Sequence, residues 1–147
     1  MASQARRLAA NVEGDFYVDS TCIDCDTCRW MAPATFDEAG DHSRVFRQPR
    51  TDEERRLAEL ALVACPTGSI GVTEKHELCA AAEAFPIPIE EEVFHCGYHA
   101  EESFGAASYL IVRERGNVLV DVPRWNNVLA RAIRELGGVR TIFLTHQ

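Results

Sequence analysis

Three cysteines recur at intervals of three, Cys22-x-x-Cys25-x-x-Cys28, and a fourth, Cys65, stands directly before Pro66. No other feature restricts the fold as much. The short spacing puts three thiols on one tight loop, and Cys65 has to return to that loop from far along the chain. The chain has six cysteines, unevenly spaced. Three crowd together and one sits beside a proline, which does not read as a disulfide framework. Thiols packed this closely point to metal.

Soft thiolates select zinc and iron–sulfur clusters. Zinc-ribbon sites show two C-x2-C knuckles. Here three cysteines share one knuckle and the fourth precedes proline. That pattern favours one [4Fe–4S] cluster held by Cys22, Cys25, Cys28 and Cys65, with zinc the competing occupant. Trp30, Met31 and Phe36, close to the loop, are expected to shield the site from water. Asp24 and Asp26 lie inside the loop, where ordinary exposure is the default and a basic partner the sharper alternative.

Three stretches separate along the chain. Residues 1–10 read as a disordered N-terminal arm without the apolar core of a secretory signal. Residues 11–73 hold the cysteines. Asp15-Phe16-Tyr17-Val18 alternates as a short strand, and 43–46 fits a second. Thr51-Asp52-Glu53-Glu54 is a capping box, followed by Leu57, Leu60, Ala61 and Ala64 along one helix face. Residues 68–72 read as a turn and a closing strand. Residues 74–92 look like a connector, with two helical turns over 77–84, extended backbone around Pro86 and Pro88, and a solvated run at Glu90-Glu91-Glu92.

The cysteine pattern resembles that of bacterial-type ferredoxins, whose two-cluster members repeat a C-x2-C-x2-C-x3-C-P run in which the last cysteine serves the opposite cluster. In the first run Ala32-Pro33 keeps the proline and replaces that cysteine. Counted back from Cys65, the other ligand positions of the second run are Arg55, Ala58 and Ala61. All four losses belong to one cluster. The resemblance implies a single-cluster domain in which a helix replaces the lost site. In the same family aspartate often marks a labile three-iron site, and Cys25 occupies that place, which favours four irons.

The remaining residues, 93–147, change character. Strands are expected over 108–112 and 118–122, joined through a hairpin at 113–117. A helical stripe of Trp125, Val128, Leu129, Ala132, Ile133 and Leu136 ends at Gly137-Gly138, and a last strand follows over 139–144. From His95 onward this β-β-α-β order, with Asp121 at a strand end and Leu144-Thr145-His146 after the last strand, looks like the start of a metallo-β-lactamase-fold domain. The superfamily's metal motif runs Thr-His-x-His-x-Asp-His, of which only Thr145, His146 and one further residue are present. One histidine does not make a catalytic site that ordinarily needs three protein ligands, so His146 is expected to be solvated. The whole arrangement resembles ferredoxin–metallo-β-lactamase fusion proteins. Cys79 and Cys96 are expected to be buried thiols, with His95 and His99 on a loop rather than in a second metal site.

The fold class expected is therefore α+β: a ferredoxin-like [4Fe–4S] domain followed by an incomplete β-β-α-β segment. Such a sheet leaves apolar faces open and is expected to dock on the first domain or to find a covering chain. Net charge is −8, which argues against a nucleic-acid partner and favours a redox partner protein with a basic docking patch. No run of about 18 apolar residues offers a membrane span, and a cytoplasmic location is expected. The expected function is one-electron transfer, as a carrier or an electron-entry module, with no side chain acting as an acid or base. The alternatives are the N-terminal part of an iron–sulfur-bearing hydrolase and a regulatory module stabilised by its cluster.

Overall fold

The computed structural model describes residues 1–146; Gln147, the last residue of the expected third segment, lies outside the described residues. The chain begins with a 3-10 turn, Gln4–Arg6, and β1, Phe16–Val18. A short helix α1, Thr27–Met31, starts within the cysteine loop and leads into the hairpin of β2, Phe36–Ala39, and β3, His42–Val45. Then come α2, Asp52–Ala64, and β4, Ile70–Val72. β4 pairs antiparallel with β1, Phe16 opposite Val72, which closes the first unit. Neither α1 nor β2 was expected. Each is too short to carry a hydrophobic period of its own.

The capping box of α2 is half as expected. Thr51 accepts the Glu54 amide at 3.1 Å, while the Glu54 carboxylate reaches past Thr51 to the Arg50 amide at 2.7 Å. Ala58, Leu60, Ala61 and Ala64 form the buried face of the helix. Ala58 and Ala61 are the positions where a second cluster would have had ligands, and both are now fully enclosed core residues.

The second unit is a five-stranded sheet in the order β5-β6-β7-β8-β9, made of Ile87–Glu90, Val93–His95, Tyr109–Ile111, Val118–Val120 and Thr141–Phe143. Pairing is antiparallel from β5 to β8, and α4, Asn127–Glu135, then carries the chain over to β9, parallel to β8. The β-β-α-β order is present over β7, β8, α4 and β9. Two strands precede it, however, and the expected connector supplies both α3, Cys79–Glu83, and edge strand β5. Pro86 stands just ahead of β5, and Pro88 within it is tolerated because an edge strand has a face that needs no donor.

Asn126 caps α4, accepting from the Val128 and Leu129 amides. Trp125 therefore lies before the helix and is 75% exposed, off the stripe in which Leu129 and Ile133 are buried. The hairpin at 113–117 is held by Asn117, which accepts the Arg113 amide and donates to the Leu136 and Gly138 carbonyls. Strand β9 is an open edge, and Ile142, Phe143 and Leu144 stay more than half exposed.

Residues 1–10 are ordered, contrary to expectation. Ser3 donates its amide and Arg6 its guanidinium to the fully buried carboxylate of Asp19, at 2.9 Å each. The Leu8 amide donates to the Val18 carbonyl. A buried carboxylate demands such donors, and the N-terminal residues supply them. Buried apolar side chains form one contiguous cluster from Phe16 and Phe36 through Leu60 and Phe85 to Leu110, Leu119 and Ile133. The two units share a core. No helix among the described residues is long and apolar enough to cross a membrane.

Candidate metal centre

Cys22, Cys25, Cys28 and Cys65 come together around one narrow hollow, walled by Val18, Ile23, Ser43, Pro66, Ser69 and Ile70 among others. The loop achieves this through two backbone reversals between the cysteines. Asp24 and Asp26 have φ of 57° and 67°, in the left-handed region, which aspartate enters more readily than most side chains. The Arg29 guanidinium spans both carboxylates, with Nη1 at 2.6 Å from Asp24. Both acids are thus paired within the chain, and Asp26 keeps the exposure expected of it, with its side chain 61% accessible.

Cys65 arrives from the other direction, as the residue that ends α2, its amide on the Ala61 carbonyl. Arg124 of the second unit donates to the Val63, Cys65 and Pro66 carbonyls at 3.1 to 3.4 Å. The last carbonyls of a helix lack internal partners, and a cation there is doubly favourable. Gly105, with φ of +76°, lies against the other side of the loop. A Cβ on it would stand 2.6 Å from the Cys25 Cβ, so only glycine allows this approach.

Donors are aimed at the sulfurs. The Ser69 amide lies 3.3 Å from Cys65 Sγ, and the Ser43 amide 3.5 Å from Cys22 Sγ. Beside them, Thr27 Oγ1 accepts from the Cys25 thiol at 3.4 Å, and Thr67 Oγ1 lies 3.7 Å from Cys65 Sγ. As free thiols two of these groups resist ionisation. Burial, with mutual repulsion added, raises Cys22 above the usual thiol range and pushes Cys28 up to about 12. Metal binding to such a group of thiols would displace their protons. Among the described residues no three His, Cys, Asp or Glu side chains converge on a position for a single metal ion.

Other expectations fare differently. Met31 and Phe36 are buried, but Trp30 is half exposed, and its ring meets the His95 ring edge-on at 5.0 Å. Trp30 thus lines a separate surface cleft with His95, Leu57, Leu60, Ile87 and Tyr109. Cys96 is fully buried, its thiol raised to about 11 by burial, whereas Cys79 is exposed. Cys79 opens a helix whose single buried residue is Ala81, so its side chain falls on the wet face. His95 ends β6 rather than lying on a loop, whereas His99 does follow on a loop, as expected. They are 3% and 1% exposed and face each other, Nε2 to Nε2, at 2.8 Å. His146 is exposed, as expected, with Asp121 at 3.5 Å. The Asp121 carboxylate accepts the Thr145 amide and hydroxyl, which holds it below the usual carboxylate range.

Thr27, Ser43, Ser69, Gly105 and Arg124 were not singled out from the sequence, and His99 was weighed only for a second metal site. A usable signal existed for some of them: hydroxyl residues flank each ligand segment, as Thr27 before Cys28 and Thr67-Gly68-Ser69 after Cys65.

Residues 18–72 match the family model described as the 4Fe-4S single cluster domain of Ferredoxin I. The match contains all four clustered cysteines and covers a little over a third of the chain. No curated protein and no solved structure matches the chain. The segment from β5 to β9 is therefore known by its own architecture, and its likeness to a metallo-β-lactamase fold has no support among these comparisons.

Proposed function

We propose that the chain is a one-electron carrier, or the electron-entry module of a larger redox assembly, with a single [4Fe–4S] cluster on Cys22, Cys25, Cys28 and Cys65. One observation carries the reading: four thiols surround a common hollow within a segment that matches a single-cluster ferredoxin domain. When bound, such a cluster exchanges one electron between two oxidation states. The chain's own residues hold the sulfurs, aim hydrogen bonds at them and keep water away.

A carrier must also find its partner. The net charge of −8 favours an acceptor or donor that presents basic residues, whose field would speed the encounter. Hydrolysis has no comparable support. It would rest on the segment after β6, where His146 stands beside Asp121.

Voltammetry of anaerobically purified protein tests the proposal. A reversible wave following the one-electron slope of 59 mV per tenfold ratio is expected. It should vanish in Cys65→Ser and Cys25→Ser, together with bound iron. A redox-silent wild type with full metal content would overturn electron transfer as the function.

A further inference from the structure

A line of buried polar groups runs from the second unit to one cysteine of the candidate centre. Thr27 Oγ1 stands 3.4 Å from Cys25 Sγ and 3.0 Å from His99 Nδ1. The same Nδ1 is 2.7 Å from the Gly105 carbonyl, and His99 Nε2 is 2.8 Å from His95 Nε2. Thr27, His99 and His95 are each 3% exposed or less.

The direction of every proton in this line follows from its ends. The Gly105 carbonyl only accepts, so His99 Nδ1 carries the hydrogen. Thr27 Oγ1 is then an acceptor towards His99 and cannot donate to it. As a free thiol Cys25 donates to Thr27 Oγ1; a metal-bound thiolate can only accept, so on ligation the contact reverses and the Thr27 hydrogen takes Cys25 Sγ as its partner. Since His99 Nε2 is bare, His95 Nε2 must donate to it. Burial lowers both imidazoles below their ordinary value, His95 to about 4, which keeps them neutral and the tautomers fixed. With Cys25 ligated as a thiolate, the hydrogens of His95, His99 and Thr27 would all run towards the sulfur, His99 sharing its own with the Gly105 carbonyl. Bonds aligned in this way reinforce one another.

We infer that His99 is a positioning residue for the cluster: it holds the Thr27 hydroxyl hydrogen on the Cys25 sulfur and so raises the reduction potential. This rests on the cluster reading above. The reduced centre carries one more negative charge, and a donor at a ligand sulfur stabilises that state more than the oxidised one. The second unit is what places His99. Its amide donates to the Ala64 carbonyl, next to Cys65, and Gly105 packs on Cys25. On this account the β5–β9 unit tunes the redox site.

The test is the midpoint potential of wild type, Thr27→Val, Thr27→Ser, His99→Leu and His99→Asn, with iron and sulfide counted on each sample. Thr27→Val and His99→Leu should move the equilibrium three- to tenfold towards the oxidised form, a lowering of about 30 to 60 mV at 59 mV per tenfold. Thr27→Ser keeps the hydroxyl, and His99→Asn keeps an N–H close to the Nδ1 position. Both should stay within about twofold of wild type. A fully loaded Thr27→Val with the wild-type potential, or a Thr27→Ser shifted as far as Thr27→Val, would overturn the inference. Imidazole ¹⁵N shifts of the wild type supply a reading that needs no variant. His99 protonated at Nδ1 and His95 at Nε2 are expected, and the reverse tautomers would refute the chain. Wild type without iron and sulfide would sink the cluster reading instead, so the two failures are distinguishable.

Discussion

His76 offers a sharp test of what ties the first unit together. It bridges two elements, with Nδ1 2.7 Å from Glu59 on α2 and Nε2 2.6 Å from Asp15 ahead of β1, and its side chain is only 6% exposed. Burial alone would lower its pKa, but the bonds to Glu59 and Asp15 prevail and raise it above 6.5. Replacement by leucine keeps apolar bulk beside Phe16, whose ring His76 meets edge-on at 5.2 Å, and removes both donors. The imidazolium makes two charge-assisted bonds, each worth roughly 1.5 kcal/mol, so His76→Leu should cost about 3 kcal/mol in acid. The neutral ring donates through one nitrogen only, and the cost should fall to about 1.5 kcal/mol. A raised folded pKa means that the contribution is complete below pH 6.5 and fades as pH climbs through the folded value. At about 2–4 °C per kcal/mol for a chain of this size, the thermal midpoint should drop by about 6–12 °C at acid pH and by about half that in alkali. Anaerobic thermal melts of both proteins by circular dichroism, at pH 5.5 and pH 9, measure the gap. A gap that is constant or wider at pH 9 would refute the reasoning.

Further outcomes follow from other contacts. Asp19→Asn should lose about 2 kcal/mol by weakening the bonds from Ser3, Arg6 and Thr21, and trypsin should then cut faster after Arg6 and Arg7. Burial opposes ionisation of Asp19, but those donors hold its carboxylate below 3.8, so its share of stability is present above that pH and is lost as pH falls further. Gly105→Ala should speed bleaching of the centre in air at least threefold, because its Cβ meets Cys25. Gly40→Ala has a similar φ of +71° but nothing within 4 Å, and should leave the bleaching rate unchanged.

Much of the site was legible because its ligands are chemically distinctive and locally spaced. The Cys22 to Cys28 loop, the proline after Cys65 and the capped helix between them could be read residue by residue. The strands flanking the 113–117 hairpin were legible too, since alternation and turn residues are local properties. What escaped depends on contacts between residues far apart in sequence. Nothing in Ser3 or Arg6 announces that Asp19 will be buried beneath them. His99 reads as a loop histidine until the fold sets it against Thr27, 72 positions earlier. Strand β5 was hidden by its prolines, which suit a linker and an edge strand equally well. The pairing of Arg29 with Asp24 and Asp26, by contrast, was within reach of local reading, being a matter of three to five residues.

The central claim, that four cysteines hold one redox-active iron–sulfur cluster, is tested most directly by electron paramagnetic resonance before and after dithionite. Iron, zinc and acid-labile sulfide should be assayed on the same anaerobic sample. The account predicts about four irons and four sulfides per chain and a paramagnetic signal that appears on one-electron reduction. Stoichiometric zinc, no sulfide and no signal would contradict it.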